Sequence, residues 1–157
     1  LSEISKFSSH NDLVLFQSED NKIFSKKDLV VVSKKKPNKY QYENLLFAFN
    51  VCRYVKSNGI VLACNKSTVG IGSGQPSRLD SCRIAVKKME QFSKTKNEIV
   101  AASDAFFPFV DGIEELVQKG VSAVIQPKGS INDKEIIKFA DATGTILVFS
   151  KTRHFRH

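Results

Sequence analysis

The sequence lacks the features that mark several protein classes. Its 157 residues contain no apolar run near the ~20 residues that a membrane-spanning helix needs, and they contain no internal repeat or low-complexity linker. The three cysteines include no Cys-x-x-Cys pair, which argues against a disulfide framework and a structural zinc site. This cysteine usage favours buried thiols and a cytoplasmic location. Because 41% of the residues are hydrophobic and 25% are charged, disorder and a coiled coil are excluded as the main state.

Complete catalytic motifs are missing as well. The sequence has no Ser-His-Asp order, no His-Glu-x-x-His motif and no cluster of metal-ligating residues. The glycine-rich segment 70–78 matches neither a dinucleotide fingerprint nor a phosphate-binding loop. The chain begins Leu1-Ser2-Glu3, without a Met or a signal region, so we expect it to be a piece of a longer protein.

The net charge of +8 is concentrated in one short stretch. Residues 22–56 carry nine basic and two acidic side chains, a net charge of +7. A basic patch of this kind can attract nucleic acid or phosphorylated small molecules. However, Lys34-Lys35-Lys36-Pro37-Asn38 has the composition of a turn and no interleaved aromatic residues, so a solvated turn is the plainer interpretation.

Hydrophobic periodicity and turn residues predict an α/β protein. The second half alternates strands with helices, and this order implies parallel strands joined by crossover helices. Gly120 and Gly144 each follow a predicted helix, where a left-handed cap is expected. The predicted strands are 12–17, 29–33, 59–64, 68–71, 99–102, 121–126 and 146–149, and the predicted helices are 38–56, 79–92, 111–119 and 133–142.

Three loops could form a ligand site at the carboxyl ends of the strands. In the loop 70–78 the glycines could let the backbone approach a ligand beside Arg78, or they could simply mark a hairpin exit. In the loop 103–111 three Phe residues either plug a core or wall a pocket for a flat ring. The loop 126–133 caps a helix in its simplest interpretation.

Five segments in this order carry a family resemblance: 55–61, 70–78, 103–109, 126–130 and 153–157. Ser-Asp-Ala-Phe-Phe-Pro-Phe at 103–109 and Arg-His-Phe-Arg-His at 153–157 are the most specific of them. From about Asp12 onward the sequence resembles the C-terminal third of the bifunctional purine-biosynthesis enzymes with AICAR transformylase and IMP cyclohydrolase activities. It departs from that family at Gly59, at Lys128 and in the run 150–152.

The resemblance implies a cytidine-deaminase-like three-layer sandwich lobe with a mixed, partly parallel sheet. Residues 1–157 would form the C-terminal portion of the transformylase domain, without the first transformylase lobe and its catalytic Lys-His pair, and without the cyclohydrolase domain. The expected reaction is formyl transfer from 10-formyltetrahydrofolate to AICAR in a homodimer. Zinc is not expected, because the Pro-Cys-x-x-Cys pair of the deaminases is absent.

The same resemblance implies roles for ten residues, with no complete catalytic set in this chain and Asn58 assisting. Ser57 and Asp104 correspond to a monovalent-cation site that would hold potassium. The AICAR contacts fall on Asn58, Arg78, Phe106 and Arg153, and the folate contacts fall on Leu79, Asp111, Ser130 and Ile131.

Two other classes compete with this interpretation. A basic nucleic-acid-binding α/β module would use residues 22–56 and show steep salt dependence. A zinc deaminase would contain bound metal. The family interpretation expects AICAR, folate and the rest of the same polypeptide as partners, and neither nucleic acid nor a membrane.

Overall fold

A six-stranded mixed sheet forms the main body of the protein. The computed structural model describes residues 4–92 and 98–157. The strands of the main sheet are β3 (Leu29–Val31), β4 (Ile60–Cys64), β5 (Ser67–Gly72), β6 (Ile99–Ser103), β7 (Val121–Pro127) and β8 (Ile146–Ser150), and a separate hairpin consists of β1 (Ile4–His10) and β2 (Leu13–Ser18). The order in the main sheet is β3-β8-β7-β6-β4-β5. β6, β7 and β8 are parallel, whereas β4 is antiparallel to both of its neighbours and β3 is antiparallel to β8.

Helices cover both faces of this sheet and produce three layers. The helices are α1 (Lys39–Cys52), α2 (Arg78–Phe92), α3 (Val110–Gln118) and α4 (Asp133–Thr143). On one face α1 packs Leu45 and Phe49 onto the sheet. On the other face α2, α3 and α4 build a second core that includes Cys82, Ile113 and Ile136. The predicted α/β class and its mixed, partly parallel sheet are therefore confirmed.

Two predicted elements end at least two residues earlier than expected. The helix predicted to reach Lys56 ends at Cys52, because the chain turns there and the amide of Ser57 donates to the carbonyl oxygen of Arg156. The strand predicted to reach Ser33 ends at Val31. The amide of Leu147 instead donates to the Ser33 hydroxyl over 2.8 Å, so a side chain continues the pairing with β8.

The predicted turn chemistry is confirmed at several places. Asn38 caps α1, since its side chain accepts a hydrogen bond from the amide of Gln41. Gly120 and Gly144 have φ angles of +87° and +68°, the left-handed conformation that a helix end requires. The lysines at 34–36 are all exposed and form a turn, in agreement with the plainer interpretation of the basic stretch.

The sequence predicted only β2, the second strand of the hairpin β1–β2. The apolar residues 13–16 indicated the second strand, whereas β1 has no strong strand pattern and is paired along its length with β2. None of the helices in the described ranges is long and apolar enough to cross a bilayer.

Candidate functional site

A cavity of about 590 Å³ lies at the edge of the sheet where β6 ends. Because β4 runs antiparallel to β6 and Ile60 pairs with Ser103, the segment before β4 reaches the same edge. The start of α2 and the C-terminal tail complete the wall. The cavity is lined by Asn58, Pro76, Ser77, Arg78, Leu79, Ala105, Phe106, Phe107, Pro108, Phe109, Asp111, Gly112, Arg153 and Phe155. Six of the eight residues predicted to bind AICAR or folate are thus together in one cavity.

Arg78 is held in place at the floor of this cavity by a buried carboxylate. Its Nη1 lies 2.5 Å from Oδ1 of Asp104 and donates to the Ser103 hydroxyl over 2.8 Å. Its Nη2 donates to Oδ1 of Asn58 over 2.7 Å. Three of the five guanidinium N–H groups are therefore committed within the protein. The charge of the Arg78 guanidinium is therefore neutralised by a carboxylate within the protein.

Asn58 is oriented by the loop 73–78. Its Nδ2 donates to the carbonyl oxygens of Gln75 and Pro76 over 2.9 and 3.0 Å. Its backbone carbonyl accepts from the Ser81 hydroxyl over 2.8 Å. Since Oδ1 accepts from Arg78, this amide has one defined orientation, and one lone pair of Oδ1 remains for a ligand.

Two of the three glycines in the loop 70–78, Gly70 and Gly72, allow close packing against α2. A Cβ atom at Gly72 would lie 1.9 Å from the carbonyl oxygen of Ser81. A Cβ atom at Gly70 would lie 2.1 Å from the carbonyl oxygen of Ala85. The absence of side chains lets β5 contact the helix backbone, and this contact carries Arg78 and Leu79 to the cavity.

The three Phe residues of the loop 103–111 divide between the two predicted roles. Phe107 is buried and packs against Gly112, where an added Cβ atom would lie 2.8 Å from its ring. Phe106 is half-buried and Phe109 is exposed, and both line the cavity. Phe107 therefore fills the core and also reaches the cavity lining, while Phe106 and Phe109 form the less buried part of an aromatic wall.

The C-terminal tail is an ordered part of the site. His154 is completely buried, and its ring lies 4.8 Å from that of Phe24 and 4.6 Å from that of Phe49. The amide of His154 donates to the carbonyl oxygen of Asp104 over 2.8 Å. This anchor places the exposed Arg153 in the cavity wall, 4.6 Å from the Phe155 ring. Residues 153–157 are therefore held against the main body by packing and hydrogen bonds.

Ser130 and Ile131 lie outside the lining of the cavity, on the loop between β7 and α4. The amides of Gly129 and Ser130 donate to the carboxylate of Asp133, the first residue of α4, so the helix orders this loop. The predicted helix cap is not formed by a side chain, because Asn132 at the cap position makes no side-chain hydrogen bond to the helix. The loop is joined to the cavity wall by Asn132, whose Nδ2 donates to the carbonyl oxygen of Pro108 over 2.6 Å. Ile131 is fully exposed beside this bridge.

Ser57 and Asp104 meet each other directly at the position expected for a cation. The Ser57 hydroxyl donates to Oδ2 of the buried Asp104 over 2.5 Å and accepts from the amide of Arg156 over 3.2 Å. Arg78 already neutralises the carboxylate. Within residues 4–92 and 98–157, no three His, Cys, Asp or Glu side chains are close enough to hold a metal ion.

The three cysteines are buried and free, as predicted. Burial raises the pKa of the Cys82 thiol to about 12. Burial, reinforced by the Asp104 carboxylate, also raises the pKa of Cys52 well above its ordinary value. Both groups are thiols at neutral pH and thus poor nucleophiles.

Two contributions to the site were missed by sequence reasoning. Ser103 was not singled out, although it precedes Asp104 in the most specific segment and binds Arg78. The carbonyl oxygens of Gln75 and Pro76 orient Asn58, and no sequence signal marks a backbone carbonyl.

Comparisons with family models and with known proteins agree on one family. The model of the AICARFT/IMPCHase bienzyme family matches residues 2–88. The bifunctional purine biosynthesis protein PurH of Bartonella bacilliformis is 52% identical over 152 residues, which cover 92% of this chain and 28% of that protein. PurH of Chlorobium phaeobacteroides (strain BS1) is 43% identical over 157 residues, which cover 100% of this chain and 30% of that protein. The chain therefore spans less than a third of the length of these relatives.

A solved structure, the apo dCMP deaminase of cyanophage S-TIM5, matches with a TM-score of 0.46 and 16% sequence identity, over 71% of this chain and 98% of that chain. A likeness at this level carries no functional argument.

Proposed function

The chain belongs to the AICARFT/IMPCHase bienzyme family, and from this membership we propose that it forms one wall of the formyl-transfer site in a longer polypeptide. The observation that carries the proposal is the meeting of Asn58, Arg78, Leu79, Phe106, Asp111 and Arg153 in one cavity. In this proposal residues 1–157 are the C-terminal lobe of the transformylase domain. The remaining lobe supplies the catalytic Lys-His pair, and a further domain carries the cyclohydrolase activity.

The proposed reaction makes and breaks one bond to the formyl carbon. The 5-amino nitrogen of AICAR attacks the formyl group of 10-formyltetrahydrofolate, the new C–N bond forms, and the bond to N10 of the folate breaks. A base removes the amine proton and N10 receives a proton. The amine is a weak nucleophile because its lone pair is delocalised. The rate of formyl transfer therefore depends on the positioning of the two substrates and on proton transfer.

Asn58 and Arg78 suit the carboxamide and amine end of AICAR. The remaining lone pair of Asn58 Oδ1 can accept an N–H of the 5-amino group and hold that nitrogen toward the formyl carbon. Arg78 is neutralised by Asp104, so it suits an uncharged carboxamide better than a phosphate. Phe106 offers a ring face to the imidazole.

Arg153 suits the phosphate of AICAR. It is exposed at the cavity wall, and within the part of the chain that the structure describes no carboxylate lies within ion-pair distance of it. A guanidinium in this position can bind a phosphate through two parallel hydrogen bonds.

We place the folate cosubstrate on the side of the cavity formed by α2 and α3. Leu79 supplies an apolar contact, and the exposed Asp111 carboxylate can accept from the amino edge of the pterin. Ser130 and Ile131 would contact the folate across the Asn132–Pro108 bridge. Because Asp133 occupies the amides of Gly129 and Ser130, the loop would contribute the Ser130 hydroxyl and the Ile131 side chain.

The remaining parts of the proposal concern ions, assembly and location. A potassium ion would be held by Ser57, Asp104 and nearby carbonyl oxygens, without zinc. Replacing potassium by tetramethylammonium should then lower the thermal midpoint of the protein.

We also propose a homodimer of the full-length polypeptide in the cytoplasm, where the three free thiols would stay reduced.

The test is a chimera in which this chain replaces the matching 152 residues of Bartonella bacilliformis PurH. The chimera should transfer formyl groups to AICAR and restore purine-independent growth to a bacterium that lacks PurH, whereas the isolated chain should show no turnover. In the chimera, Asn58→Ala and Arg153→Ala should each lower formyl transfer at least tenfold while sparing cyclisation. An equal fall of both activities would contradict the assignment of these residues.

A further inference from the structure

The hairpin β1–β2 is an apolar element that the main body leaves uncovered. Leu13, Val14, Leu15 and Phe16 form the apolar run of β2, and their exposed fractions lie between 48% and 76%. Side chains alternate along a strand, so Leu13 and Leu15 face one side of the hairpin while Val14 and Phe16 face the other. Both faces of β2 are therefore apolar and open.

Among the described residues, hydrogen bonds join the hairpin to the main body at its base. Gln17 accepts from the amide of His157 over 3.1 Å, and its amide nitrogen donates to the carbonyl oxygen of Phe155. Among the described residues, β1 and β2 pack chiefly against each other, and no helix or strand of the main body covers them extensively. A two-stranded hairpin of this kind is marginally stable in water.

The hairpin is part of the family and not an appended tail. The family model matches residues 2–88, which include both strands. The relatives are more than three times as long as this chain, which covers 28–30% of them. In these longer relatives, most of the polypeptide lies outside the part that matches this chain, and it is available to cover the two apolar faces.

We propose that the hairpin β1–β2 is the docking element that holds this chain against the rest of the family polypeptide, with Leu13 and Leu15 on one contact face and Val14 and Phe16 on the other. The inference rests on family membership and is independent of the proposed reaction. The partner is a pair of apolar surfaces, or one apolar groove, that receives the hairpin from both sides.

The available area favours a partner in the same polypeptide over a second copy of the chain. Four side chains of this size offer on the order of 400 Å², about half of the ~800 Å² per partner that a standard protein–protein interface buries. A covalently connected partner is present at an effective concentration in the millimolar range. A small apolar contact is sufficient under that condition.

Hydrogen exchange of the hairpin amides tests the proposal without any substitution. The amides of 4–18 should exchange at least tenfold more slowly in the PurH chimera than in the isolated chain. Equal exchange in the two proteins would overturn the proposal. Exchange in the isolated chain that slows as the protein concentration rises would also overturn it, because the partner would then be a second copy.

Substitutions on each face provide the second measurement. In the chimera, Leu13→Ser/Leu15→Ser and Val14→Ser/Phe16→Ser should each restore fast exchange in the hairpin, while the thermal midpoint of the isolated chain stays unchanged. Phe92→Ser is the matched control, since Phe92 is equally exposed at the end of α2. If the control raised hairpin exchange as much as the face variants, the contact would not be specific. Loss of formyl transfer with retained protection would count against the proposed function alone.

Discussion

Arg78 and Asp104 form a buried ion pair, with 2.5 Å between Nη1 and Oδ1. Arg78 begins α2 and Asp104 follows β6. The pair extends to Asn58 through the second guanidinium nitrogen and to Ser57 through the second carboxylate oxygen. One carboxylate therefore links three separate segments of the chain at the floor of the cavity.

Removal of this carboxylate should destabilise the protein strongly. Asp104→Ala leaves a buried guanidinium without its counter-charge, so the free energy of unfolding should fall by about 3–5 kcal/mol. Urea denaturation of the isolated chain measures this change. Asp111→Ala is the control, because it removes an exposed acid from the same cavity and should cost at most about 1 kcal/mol. If the two variants lost the same unfolding free energy, the buried ion pair would contribute no more to stability than an exposed acid.

The C-terminal tail should behave as part of the core. Deletion of 153–157 removes the His154 ring from its cluster with Phe24 and Phe49 and should lower the free energy of unfolding by about 3 kcal/mol or more. His154→Ala should reproduce most of this loss in thermal or urea denaturation. Lys151→Ala, at an exposed position beside the tail, should change it by less than about 0.5 kcal/mol. A tail deletion without effect would contradict the packing described here.

Arg153 should determine the affinity for the phosphate of AICAR. Loss of one charge-assisted contact corresponds to about 1.5–3 kcal/mol, so Arg153→Ala should weaken AICAR binding to the chimera roughly 10- to 150-fold. Isothermal titration calorimetry with AICAR and with its dephosphorylated nucleoside separates the phosphate contribution. The nucleoside should bind the variant and the parent equally. If Arg153→Ala weakened binding of the nucleoside by the same factor, Arg153 would not be the residue that contacts the phosphate.

The lysine turn should be dispensable. Lys34, Lys35 and Lys36 are exposed, and Lys36 Nζ donates to the carbonyl oxygen of Ser33 over 2.9 Å. Replacing all three by Gln should change the unfolding free energy by less than about 0.5 kcal/mol and leave AICAR binding intact. Tight, salt-dependent RNA binding that disappears in this variant would instead favour the nucleic-acid-binding module.

The buried thiols should make the protein sensitive to alkali. Since burial raises the pKa of Cys82 to about 12, the folded state keeps a proton that the unfolded state releases above pH ~9. Stability should therefore be constant below pH ~8 and fall by up to about 1.4 kcal/mol per pH unit above pH ~9, with Cys52 adding to the slope. Urea midpoints between pH 7 and 10 measure this effect. In Cys82→Ala the slope should be smaller, and an unchanged slope would assign it to other groups.

Local sequence patterns were sufficient for most of the fold. Apolar spacing, caps and turn glycines depend on neighbouring residues, so all four helices and the strands of the main sheet could be located within a few residues. The end of α1 could not, because Ser57 is held by a hydrogen bond to the distant Arg156. The strand β1 could not either, since its partner β2 and not its own pattern makes it a strand.

The sequence by itself determined the α/β class, the buried cysteines, the family resemblance and the residues that approach the cavity. Tertiary structure decided what those residues do. Arg78 was predicted to contact AICAR, and the fold pairs it with the buried Asp104. His154 was assigned no role, and the fold packs it in the core. Ion pairing and burial depend on groups that are far apart in the chain, and only the folded packing brings such groups into contact.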